Sequence, residues 1–244
     1  MFSDGVCCFG LAPEHDIWVP VLFYGREKID MDNNTKKITT TAMLSAIAYV
    51  VVVVGRIPVV LFLKYDPKDI IITLGGLIWG PLTSFIVSVI VSLIEMVTIS
   101  ENGVLGCIMN IISTCSFACT ASVIYKKKRT LSGAVAGLVA GSLMMVLVML
   151  LWNYLITPIY MGYPREAVAE LLIPAFLPFN LLKAGLNAGF TFLLYKPITT
   201  ALRKAGYISD SQNVQGRKPI GLWLFSGILV ITCILLILSF NGII

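Results

Sequence analysis

Residues 171–190 read LLIPAFLPFNLLKAGLNAGF, and nearly every side chain in the stretch is apolar. The exceptions are Asn180, Lys183 and Asn187, spaced three and four apart, so a helix carries all of them on one face. In hydrocarbon an amide or an ammonium is costly and turns toward a bundle interior or a cavity. The stretch therefore predicts a membrane helix with a lipid-facing side and a polar side that does some work.

The rest of the chain supports the membrane reading. Of 244 residues, 57% are hydrophobic and 13% charged, and the mean hydropathy is +0.90. No stretch is left over from which to build a separate water-facing core, so the fold class is all-α: a polytopic membrane helical bundle. The net charge of +5 does not point to nucleic acid, because the 18 Lys and Arg cluster at helix ends. Four lie between Arg26 and Lys37, four form KKKR at 126–129, and five lie between Lys196 and Lys218. These are cytoplasmic flanks under the positive-inside rule.

A helix needs about 20 apolar residues to cross ~30 Å of hydrocarbon. The apolar runs predict spans at 38–54, 104–125, 132–157, 173–195 and 222–240, with a helical hairpin at 69–98 turning at Gly80 and Pro81. That hairpin is too short for two full crossings, so it is read as two short helices or a re-entrant pair. Charge then places the segment 56–68, SENG and TPIYMGYPREAVAE outside, and both ends of a six-segment core inside. The organisation expected is a 1–36 extension with a possible start at Met31, a 37–200 membrane domain, a 201–219 cytoplasmic linker and an additional transmembrane helix at 220–244. The first 30 residues lack the basic start, apolar run and small-residue cleavage site of a signal peptide.

Polar residues collect toward the outer half of this bundle. Besides Asn180 and Lys183 they include Asn153 and Thr157 in WNYLITPIY, Asn110, and Glu95 near the outward end of the hairpin, a partner available to Lys183. Tyr154 and neighbouring rings add flat faces beside the amides, a combination suited to a ligand with one planar and one hydroxyl-rich part. The loop GRIPVVLFLKYDPKD is too oily for an ordinary connection and too broken by Pro58 and Pro67 for one helix. It is expected to fold over the outer mouth as a lid, with Lys64, Tyr65 and Asp66 at the entrance.

Catalysis has no support in the sequence. There is no GxxxxGK[ST] loop, GxSxG elbow or HExxH, and the one histidine, His15, lies outside the membrane region. The cysteines show neither zinc spacing nor a disulfide framework, so no metal site is expected. The chain is read as a non-enzyme whose energy, if ATP drives it, comes from a partner.

Several motifs in order carry a family resemblance: Ala42 and Ala46 in the first span, FLKYDPKD, GGLIWGPL, NYLITPIY and LPFNLLKAG. Over about residues 37–200 the chain resembles the riboflavin-binding substrate-capture (S) component of energy-coupling factor (ECF) vitamin transporters. The resemblance implies a six-helix S-component core in the bacterial cell membrane that takes riboflavin from outside as a transported ligand, with no cofactor. It implies as partners a transmembrane scaffold protein and two ATPase subunits, with Ala42 and Ala46 docking on the scaffold. It maps the vitamin site to Asn153, Asn180 and Lys183, and leaves Asn187, one turn deeper, as a helix-packing residue. The first 30 residues and the seventh span depart from the family pattern. The rival readings are an S component for another vitamin, a solitary flavin carrier, and a membrane sensor or enzyme.

Overall fold

The structure, a computed structural model, describes residues 33–60, 63–100, 103–162, 164–204 and 220–240. The expectations for the first 30 residues and for the 201–219 linker fall largely outside these residues. Helices α1 (Asn33–Gly55), α3 (Pro81–Thr98), α4 (Gly103–Lys127), α5 (Leu131–Met161) and α7 (Leu177–Lys204) are the long members of the bundle. Among the described residues, five helical segments are long and apolar enough to cross a membrane, and a shorter apolar helix runs over Trp223–Leu238 within α8 (Ile220–Phe240). Ile38, Val54, Leu82, Val97 and Leu147 stand largely exposed on the flanks, which in water would be a liability and in lipid is the expected coat. The chain is a multi-pass membrane helical bundle.

The hairpin at 69–98 resolves into unequal arms. Helix α2 (Lys68–Trp79) has 12 residues and α3 has 18. The turn falls at Gly80, whose φ of +104° favours a residue without a Cβ, and Pro81 follows at the first helical position, where its missing N–H costs nothing. At 1.5 Å per residue, α2 covers only about 18 Å. It packs against α1, α3, α4 and α7, so its first turn, Lys68 to Ile70, is buried rather than raised to a membrane surface.

The oily loop forms a two-stranded antiparallel hairpin, β1 (Ile57–Val60) and β2 (Leu63–Tyr65), an addition to the all-helical expectation. Ile57 pairs with Tyr65 and Pro58 with Lys64, with an irregularity between Pro58 and Val60, as suits a proline that donates no ladder hydrogen bond. Its apolar side chains Val59, Leu63 and Tyr65 join a cluster with Phe176, Phe179, Leu182, Leu186 and with Val230, Cys233 and Ile237 of α8.

Several boundaries differ from the sequence expectation: α1 begins at Asn33, α7 runs on to Lys204 and takes in the first residues of the expected linker, and the outer loop changes most. The outer loop expected after Thr157 is mostly helix: α5 continues through Pro158 to Met161, ends at Gly162 in a left-handed conformation, and is followed by α6 (Arg165–Leu171). Pro158 is tolerated because it forfeits one hydrogen bond near the helix end. A π-helical turn (Leu172–Phe176) then leads into α7. Pro174 and Pro178 break the regular hydrogen-bond ladder here, and the wide turn sets how α7 enters the bundle.

Candidate functional site

Charged groups gather where the β1–β2 hairpin meets α2, α3, α4 and α7. Glu95, 1% exposed, pairs with Lys68 and with Arg56, and accepts a hydrogen bond from Asn110 Nδ2 at 3.3 Å. The Arg56 Nε also donates to Asp66 at 2.7 Å, and its Nη1 reaches the Ile99 carbonyl at 3.4 Å. Arg56 thus ties the root of the hairpin to the end of α3. Burial pushes the Asp66 carboxyl up, but Lys68, Lys183 and Arg56 outweigh it and hold the group below its ordinary value of 3.8.

A second cluster lies beside the first. Asp69, fully buried, accepts from Thr114 Oγ1 at 2.6 Å and from Asn187 Nδ2 at 3.1 Å, and its Oδ2 lies 3.3 Å from Lys183 Nζ. Lys183 also reaches Ser113 Oγ at 3.4 Å. A buried carboxylate is tolerated only when donors replace the water it lost. Here a hydroxyl, an amide and an ammonium do so. The expected pairing of Glu95 with Lys183 is therefore replaced. Lys68 and Arg56 reach Glu95 from the start of α2 and the end of α1, while Lys183 on α7 faces Asp69.

Between the two clusters lies a cavity of about 50 Å³ whose lining includes Lys64, Asp66, Glu95, Asn110, Asn180 and Lys183. Of the residues named from sequence, Lys64, Asp66, Glu95, Asn180 and Lys183 meet here. Tyr65 lies behind the wall, its hydroxyl donating to Asn187 Oδ1 at 3.1 Å. Asn153 is buried on α5 outside the lining, its Oδ1 accepting from Thr157 at 3.2 Å. Tyr154 is 42% exposed and stands apart. Ala42 and Ala46 both face outward on α1.

Two amide atoms carry open valences. Asn180 Nδ2 donates to the Phe176 carbonyl at 2.8 Å, which anchors the side chain on the π turn. Its Oδ1 is buried and has no partner among the described residues, and the same holds for Asn153 Nδ2. A buried polar atom left unsatisfied costs about 1–3 kcal/mol, so an orphan acceptor on a cavity wall is a place prepared for a donor. A larger groove, about 570 Å³, opens between α5, α7 and α8. It is lined by apolar residues and two serines with no charged group, so it offers a polar ligand little to bind.

Arg56, Lys68 and Asp69 escaped the sequence reading. The signal lay in the length of α2. A helix too short to span, starting with Lys and Asp, submerges those charges and obliges them to find partners. Asn187, expected as a packing residue, joins α7 to both α2 and the hairpin through Asp69 and Tyr65.

The sequence profile described as "ECF transporter, substrate-specific component" matches residues 36–195. The riboflavin transporter RibU of Staphylococcus aureus is 29% identical over 189 residues, covering 74% of this chain and 98% of that protein. The riboflavin transporter FmnP of Bacillus subtilis is 29% identical, covering 61% of this chain and 84% of its own length. A solved S component of a bacterial ECF transporter superposes with a TM-score of 0.60 at 28% identity, covering 70% of this chain and 99% of that one.

Proposed function

The chain belongs to the family of ECF transporter substrate-specific components, and from that premise we propose that the molecule it captures is riboflavin. Membership makes it a transport component rather than an enzyme. The observation that carries the choice of ligand is the pair formed by Asn180 and Lys183 on one cavity wall, the first with an unsatisfied buried acceptor and the second with an ammonium. Isoalloxazine presents carbonyls and an N–H along one edge, and ribityl presents hydroxyls. Asn180 accepts from such an N–H or hydroxyl, and Lys183 donates to carbonyl or hydroxyl oxygens. The names of the RibU and FmnP relatives agree with this choice.

Ligand pockets for molecules of this size measure roughly 300–1,000 Å³, well above the present cavity. Room comes from the side chains of Leu63, Lys64, Met109, Met149 and Phe179 on the lining turning aside as the ligand enters, after which the base of the hairpin seats again. The hairpin is the outer lid, and swinging it away opens the chamber toward the outside of the bacterial cell membrane. Residues 37–200 are the vitamin-binding domain, and α8 is an added helix. The exposed Ala42 and Ala46 let a scaffold helix approach α1 closely, and two ATPase subunits on that scaffold supply the energy for release inward.

Protein purified in detergent is expected to be yellow, to release flavin on denaturation, and to quench added riboflavin with one-to-one stoichiometry. Colourless protein that leaves riboflavin fluorescence unchanged, while quenching or retaining a different vitamin in a ligand panel, overturns the assignment in favour of that vitamin. Co-purification with scaffold and ATPases, lost in Ala42→Trp/Ala46→Trp, checks the docking face.

A further inference from the structure

Behind the cavity wall, three buried residues connect the lid to the site lysine. Tyr65, at the end of β2, is 3% exposed, while Asn187 on α7 and Asp69 on α2 are both fully buried. The polarity of the chain of bonds is fixed by chemistry. A carboxylate only accepts, so the Asn187 amide nitrogen must face Asp69 Oδ2, at 3.1 Å. The Asn187 carbonyl oxygen then faces the other way, and the Tyr65 hydroxyl must donate to it, at 3.1 Å. Asp69 has its other oxygen held by Thr114 at 2.6 Å, which leaves Oδ2 shared between Asn187 and the Lys183 ammonium at 3.3 Å. Apart from Lys183, none of these residues lines the cavity.

We propose that Tyr65, Asn187 and Asp69 are positioning residues that tie closure of the hairpin to the placement of the Lys183 ammonium. With the lid seated, Tyr65 locks the Asn187 amide in the orientation that presents its N–H groups to Asp69. Asp69, held from two sides, then fixes Lys183 against the cavity wall. When the hairpin lifts, Tyr65 withdraws its hydroxyl and the amide is free to turn. Asp69 loses a fixed donor, and the lysine loses its fixed counter-charge. A ligand that bonds Lys183 therefore favours the seated lid without touching Tyr65. The apolar packing of Tyr65 against Phe176 and Phe179 would by itself hold the lid shut with no regard to what Lys183 binds. The hydroxyl supplies that link.

This inference rests on the proposed riboflavin site, and the test separates the two. Riboflavin affinity and dissociation rate are measured by fluorescence quenching in wild type, Tyr65→Phe, Lys183→Met and the double variant. Tyr65→Phe keeps the ring and its packing. It is expected to weaken binding about tenfold, chiefly through faster dissociation. In the Lys183→Met background the same change is expected to alter affinity less than about twofold, because the group it positions is gone. Should Lys183→Met fail to fold with Asp69 unpaired, Lys183→Gln, which keeps a donor without the charge, serves as the background. Equal factors in both backgrounds, or Tyr65→Phe indistinguishable from wild type, overturn the relay and leave the site assignment standing. Wild-type protein that binds no riboflavin overturns both.

Discussion

The contacts of α4 with its neighbours change character along its length. Toward the hairpin, Asn110, Ser113 and Thr114 bond Glu95, Lys183 and Asp69. One turn and more farther on, Gly137 and Gly141 of α5 lie against the backbone of α4, where an added Cβ would sit 2.7 Å from the Ala121 carbonyl oxygen and 2.6 Å from that of Phe117. The second arrangement is how membrane helices pack when lipid supplies no hydrophobic drive between them: small residues let backbones approach. The first is expensive to build, since every charge must find a partner away from water. A bundle needs only the second kind of contact to stand. The polar end is kept for what it can bind.

The contrast can be broken most forcefully at Asp69. Asp69→Leu strands the Lys183 ammonium and removes the acceptor of Thr114 and Asn187, with an expected loss of about 3–5 kcal/mol. Thermal unfolding in detergent is expected to show a large drop in melting temperature or no cooperative transition at all. A melt close to wild type would mean that the cluster is hydrated and cheap. Gly141→Leu comes next, an overpacking change with an expected cost of about 1–3 kcal/mol. Here the melting temperature falls, but the riboflavin affinity of the folded fraction stays within about twofold of wild type. Affinity that falls in step with stability would erase the distinction between the two regions.

The smallest effect concerns pH. The Asp66 carboxyl is depressed in the folded protein. A group depressed on folding contributes stability above its unfolded value, and that contribution is lost as pH falls through the folded value. Between about pH 7 and pH 5 Asp66 should leave the melting temperature flat, and the hairpin should loosen only below about pH 4. An Asp66→Asn variant whose melting temperature differs from wild type equally at about pH 7 and pH 3 would show that the charge is not what holds this residue.

Much of the bundle was legible because membrane spans announce themselves locally. Twenty apolar residues, a flanking KKKR or a Gly80–Pro81 turn each have meaning without reference to the rest of the chain. Asn180 and Lys183 were legible for the same reason, as polar residues in an apolar run whose face is set by helical period. The partners were not. Asp69 and Asn187 are bonded across 118 positions of sequence, and nothing in KYDPKDI says whether its charges meet water or one another. That depended on α2 being short and central. The oily middle and the prolines of the hairpin loop suggest a segment folded back on the bundle, but strand pairing in so short a stretch is set by the cluster beneath it, including residues of α8 that lie far away in the chain. Asn153 lies outside the cavity lining, and its assignment to the vitamin site rests on the family resemblance alone.

Among the described residues a small charged chamber lies beneath the hairpin and a larger apolar groove between α5, α7 and α8, so perturbing one wall of each tests most directly where riboflavin binds. Riboflavin affinity is measured by fluorescence quenching for wild type, Asn180→Ala in the chamber and Ser142→Leu in the groove. Asn180→Ala is expected to weaken binding about tenfold or more with little change in melting temperature, and Ser142→Leu to leave affinity unchanged. Loss of binding in Ser142→Leu with Asn180→Ala at wild-type affinity would contradict the chamber as the binding site.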